Sequence, residues 1–108
     1  MRDLRRISEH PDEYQIVDVR EPYEWQAGRI KGAIHIPLAR LMAGAEEGSL
    51  DRSKAVIVVC RSGNRSELGA TMLQARGYDA HNMEGGMEDW ALEGLPFEAE
   101  DGSPGKVA

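Results

Sequence analysis

Cys60 is the one cysteine of the chain, and it stands in the run Cys60-Arg61-Ser62-Gly63-Asn64-Arg65-Ser66. A lone cysteine excludes an internal disulfide and a dithiol redox motif, and with three scattered histidines it does not compose a zinc site. Chemistry at Cys60 is therefore that of a single nucleophile, with any resolving thiol supplied by another molecule. Its neighbours suit that role. Ser62, Gly63 and Asn64 tolerate unusual backbone angles, so the run can turn tightly and aim successive N–H groups inward as an anion-binding nest. Arg61 and Arg65 add two positive charges within five residues of the sulfur. Nest, cations and the N-terminal end of a following helix all favour thiolate over thiol. The expectation is a depressed pKa, raised reactivity and room for a small dianion. An inert buried cysteine is the commoner occupant of a strand end, but a packing role needs neither two arginines nor a nest-forming turn.

The elements that must position this run can be read on either side of it. Lys54 to Val59 is a continuous apolar stretch, as expected of a strand covered on both faces, and Cys60 follows immediately. From Asn64 or Arg65 a helix is predicted to about Arg76, with Leu68, Met72 and Ala75 on its packed side and Gly77 just past its end. Upstream, Asp3 to His10 reads as a short helix and Tyr14 to Val19 as a buried strand. Pro22 to Trp25 reads as one helical turn, Ala33 to Ile36 as a short strand and Leu38 to Met42 as a brief helix. Downstream, Tyr78 to Met83 is a weakly signalled strand, and Gly85-Gly86 leads into a helix carrying Met87, Trp90 and Ala91. Alternating apolar strands and helices predict an α/β fold with a parallel sheet, in which reactive groups gather beyond the carboxyl ends of the strands. Residues 1–97 are expected to form one domain, and residues 98–108, rich in Gly, Ser, Pro and charge, a flexible tail.

Composition narrows the partners. With 19 acidic residues against 13 basic ones the net charge is −6, which argues against nucleic acid or an anionic membrane. No apolar run approaches the roughly 20 residues of a membrane span, and no apolar stretch follows the basic N-terminus as in a secretory signal. The cytoplasm is the expected location.

Several ordered blocks resemble the single-domain rhodaneses, a sulfurtransferase family. Cys60 to Ser66 is similar to the family's active-site loop; Val17-Asp18-Val19-Arg20-Glu21 with Glu24 and Gly28 to its first signature; and Gly85-Gly86, Trp90 and Gly94-Leu95-Pro96 to its closing one. Gly32 to Pro37 resembles the segment that follows the first signature. The resemblance covers Tyr14 to Pro96 and implies a three-layer α/β fold, with a parallel sheet of about five strands between two helical layers. It also implies a two-step transfer without a cofactor. Cys60 would take the outer sulfur of a donor such as thiosulfate, becoming a persulfide, and pass it to cyanide, a thiol or a sulfur-relay protein. In that scheme Arg61, Ser62, Gly63, Asn64, Arg65 and Ser66 hold the persulfide and the donor, while Asp18, Arg20, Glu24, Gly85, Gly86 and Trp90 support the loops.

Other readings are separable. Rhodanese-like phosphatases and arsenate reductases carry a loop one residue longer, suited to a tetrahedral oxyanion, whereas four residues separate Cys60 from Arg65 here. A regulatory or carrier module is the remaining alternative, although such modules commonly lose the cysteine or the loop pattern that this chain keeps. Arg20 is expected to pair with Glu24 or another carboxylate, Arg29 stands where the family often has His, and Trp25 and Trp90 are expected to be packing anchors. An edge strand that family members carry ahead of the first helix is expected to be missing or supplied by the C-terminal tail.

Overall fold

The computed structural model describes residues 2–108. Its centre is β3 (Ala55–Val59), flanked by β1 (Tyr14–Asp18) and β4 (Ala80–Asn82), with β2 (Ile34–His35) outside β1. Every pairing is parallel, Tyr14 opposing Ala55 and Asp18 opposing Val59 in the longest ladder. Parallel strands need crossovers, and these are α2 (Pro22–Ala27), α3 (Leu38–Met42) and α4 (Asn64–Ala75). α1 (Leu4–Glu9) precedes the sheet and α5 (Gly86–Leu92) follows it.

Side chains alternate across β3, and that alternation divides the core. Val56 and Val58 pack with Val17, Leu41, Ala70 and Leu73, beneath α3 and α4. Ile57 and Val59 pack on the other face with Leu4, Ile7, Ile16, Met83, Met87 and Trp90, beneath α1 and α5. The result is the expected three-layer α/β architecture. Its sheet has four strands among the described residues, not about five. The C-terminal segment meets Arg29 through an isolated antiparallel bridge at Glu98 and adds no strand to the sheet.

The packed side of α4 differs from expectation. Ser66, Gly69, Ala70 and Leu73 are buried, whereas Leu68 is 47% exposed. The hydrophobic spacing of Leu68 and Met72 pointed to the wrong stripe because the true one is made of small residues. A Cβ on Gly69 would lie 3.1 Å from Leu41 and 3.2 Å from Val58, so the helix sits close against the sheet and shape outweighs hydropathy.

Residues 98–108, read in the sequence as a flexible tail, fold back along the end of α2. Arg29 and Glu98 exchange backbone hydrogen bonds at 3.0 and 3.1 Å, and Lys106 N–H donates to Ala27 at 2.9 Å. Phe97 and Val107 pack against the second half of the core. No helix is long and apolar enough to cross a membrane among the described residues.

Candidate active site

Cys60 is the first residue beyond β3, and its side chain is 1% exposed at the edge of the core beneath α4. The chain then turns into α4 within four residues, Arg61 to Asn64. Gly63 makes the turn possible as the N-cap of α4, at φ 104°, a left-handed conformation that glycine adopts without strain. The start of α5 clamps the loop from outside. Met87 N–H donates to Cys60 O at 2.9 Å and Glu88 N–H to Arg61 O at 3.0 Å. These bonds satisfy two orphan donors of the helix and hold two loop carbonyls away from the sulfur, leaving the loop's amides to face it. Gly86 permits the approach, since a Cβ there would lie 2.5 Å from Cys60 O.

Two polar groups reach the sulfur. Gly63 N–H lies 3.0 Å from Cys60 Sγ, and Ser66 Oγ lies 3.2 Å from it. Burial is the largest single influence and pushes the thiol up; the Ser66 hydroxyl and the N–H groups of Ser66, Gly63 and Ser62 together outweigh it. The net shift is below the ordinary cysteine value, as expected. The backbone N–H groups act as the sequence reading expected, whereas the arginines it also invoked are engaged elsewhere. Arg65 makes a bidentate pair with Glu24, at 2.7 and 2.8 Å, and Arg61 reaches Glu88 at 3.4 Å. Each loop cation faces a carboxylate, and hydroxyl and amide donors hold the sulfur.

Glu24 reaches Arg65 from the first turn of α2, where it forms a capping box with Glu21 and accepts the Glu21 N–H at 3.1 Å. The hydrogen bond from Arg65 holds its carboxyl below the usual carboxylate range, despite burial. Arg20 does not pair with Glu24. It is fully buried, bonds both oxygens of Asp18 and donates to Gly28 O at 2.6 Å, tying the end of β1 to the end of α2. Asp18 is the closer partner because it also accepts the Arg20 backbone N–H, at 3.0 Å. His35 lies 2.8 Å from Arg20 O and stacks on Trp25 at 4.7 Å, with Arg29 over the indole. Trp90 is buried and donates from Nε1 to Pro96 O at 3.0 Å.

One site residue was missed in the sequence. Asn82 ends β4, and its carboxamide donates from Nδ2 to Gly63 O at 3.0 Å and accepts from the Ser66 hydroxyl. A carboxamide at the carboxyl end of the strand beside β3 was the available signal. Ser62, Gly63, Asn64, Asn82 and Gly85 line an open depression of about 370 Å³ beside the loop. The arrangement can stabilise a buried thiolate and a sulfur anion attached to it.

The comparisons agree with this architecture. A sulfurtransferase of Allochromatium vinosum is 36% identical over 88 residues, 81% of this chain and 80% of that one. YtwF of Bacillus subtilis is 36% identical over 93 residues, 86% of this chain and 88% of its own length. The crystal structure of a rhodanese-related protein from Thermoplasma volcanium superposes with a TM-score of 0.82 at 34% identity, covering 90% of this chain and 95% of that one. The rhodanese-like domain model matches residues 2–93, and with the fold and the cradled cysteine it shows that this chain belongs to the rhodanese-like domain family.

Proposed function

We propose that the protein is a sulfurtransferase whose Cys60 carries sulfane sulfur as a persulfide. The observation that carries the reading is a lone cysteine, buried at a strand end, whose thiolate is favoured by Ser66 and the loop amides. In the first step the Cys60 thiolate attacks the outer sulfur of a donor such as thiosulfate. A bond forms from Sγ to that sulfur, the donor's sulfur–sulfur bond breaks, and sulfite leaves with the electron pair. In the second step a thiophilic acceptor, cyanide in an assay or a thiol in the cell, attacks the outer sulfur and Cys60 leaves as thiolate. Amides that serve the thiolate serve the persulfide anion as well. The Allochromatium relative, itself named a sulfurtransferase, supports transfer of sulfur in general.

A persulfide carrier loaded by a protein partner is a second reading, favoured by the pairing of Arg65 with Glu24. That pair leaves the loop near charge balance and weakens its case as a dianion receptor. The test is intact mass after treatment with thiosulfate or with glutathione persulfide, followed by cyanide. Gain of one sulfur, removed by cyanide and absent in Cys60→Ser, is the expected result. Loading by the persulfide alone selects the carrier reading, and loading by neither refutes sulfur transfer.

A further inference from the structure

Cys60, Gly63, Asn82 and Ser66 close a ring of hydrogen bonds. Gly63 N–H donates to Cys60 Sγ, Asn82 Nδ2 donates to Gly63 O, Ser66 donates to Asn82 Oδ1, and Ser66 Oγ meets Cys60 Sγ at 3.2 Å. Gly63 O can only accept, which fixes the orientation of the Asn82 carboxamide. The ring contains one competition. The Ser66 hydroxyl has a single hydrogen and two acceptors for it, Asn82 Oδ1 and the thiolate. While Cys60 is a thiol, its S–H donates to Ser66 Oγ and the serine hydrogen goes to Asn82. When the thiol proton leaves to water, the hydroxyl must rotate to serve the sulfur, and Asn82 Oδ1 loses that donor.

We propose that Asn82 is a positioning residue of the Cys60 site, holding the Gly63 peptide toward the sulfur and parking the Ser66 hydrogen whenever Cys60 Sγ carries no charge. The inference rests on Cys60 as the reactive group. It adds that β4 takes part in the chemistry through a side chain that does not touch the sulfur. Attachment of the cargo sulfur makes Sγ neutral, so the hydrogen returns to Asn82 and swings out once per cycle.

The direct test needs no variant. In protein labelled at asparagine, the Asn82 side-chain carbonyl ¹³C resonance should titrate together with the Cys60 thiol. A flat Asn82 signal across the Cys60 titration overturns the proposal. Asn82→Asp supplies a stronger acceptor for the same hydrogen, and its charge acts in the same direction. It should lower the thiolate fraction about tenfold, and reactivity toward a neutral disulfide about threefold, on the acid limb. In a Ser66→Ala background the same substitution should act less, because no hydrogen is left to compete for; equal effects in both backgrounds refute the competition. Persulfide loading of Cys60 is read separately by mass, so failure of the sulfur-transfer reading is distinguishable from failure of this one.

Discussion

Removal of the Ser66 hydroxyl gives a sharp test of what holds the Cys60 thiolate. Among the groups that lower the thiol, the Ser66 side chain is the largest, and it lies 3.2 Å from the sulfur. A hydrogen bond to a charged acceptor is worth about 1.4 kcal/mol here, so Ser66→Ala should reduce the thiolate fraction roughly tenfold below the titration midpoint. A more basic thiolate is also a better nucleophile, by about threefold for that shift when it attacks a disulfide. The two effects oppose each other in acid and only the second survives in alkali. The variant should react with a small neutral disulfide about threefold more slowly at low pH and about threefold faster at high pH, so the two rate profiles cross. Stopped-flow rates across the pH range measure this directly. A variant that is slower at every pH, or a profile with an unmoved midpoint, would refute the assignment of the shift to Ser66.

Four further outcomes follow from contacts described above. The wild-type reactivity midpoint should lie below that of the same cysteine in the unfolded chain, because the folded state favours the thiolate. Glu24→Gln, which breaks the pair with Arg65, should lower stability by about 2 kcal/mol, seen as a fall of roughly 8–10 °C in Tm. Because the folded Glu24 carboxyl is depressed, that contribution is present above the ordinary carboxylate range and lost as pH falls through the folded value. The gap between wild type and variant should therefore close in acid. Asp18→Asn strands the buried Arg20 guanidinium and should cost about 3–5 kcal/mol by denaturant unfolding. Leu68→Gln on the exposed side of α4 should change stability by less than about 0.5 kcal/mol, whereas Leu73→Ala should cost about 2–5 kcal/mol.

The strands and the turn at Cys60 were readable from local pattern. Ala55 to Val59 is apolar throughout because both its faces are covered, and Gly63 marks a turn that needs a left-handed residue. Charge pairing was less readable. Arg65 and Glu24 are 41 residues apart, and nothing local in either segment says that the loop arginine is committed to a carboxylate. The buried face of α4 was misread for a related reason: Gly69 and Ala70 carry little hydropathy, yet helix-to-sheet distance selects them. Asn82 escaped notice because its strand has three residues and its partners lie on another element. Local pattern reports which segments are buried; which polar groups meet is decided by the topology that brings strand ends together.

The bonds from α5 to Cys60 O and Arg61 O have a consequence for evolution of the site. They act as staples across the mouth of the loop, with Gly86 seated against the same two residues and Gly63 close to Gly85. The bore of the cradle is thereby set by main chain rather than by side chains. Inserting one residue after Cys60 would have to break a staple or push the first turn of α5 away, along with Met87 and Trp90 in the core beneath it. Side-chain drift around the rim can retune charge and partner while the size of the cargo stays fixed; admitting a larger anion requires rebuilding the end of a helix.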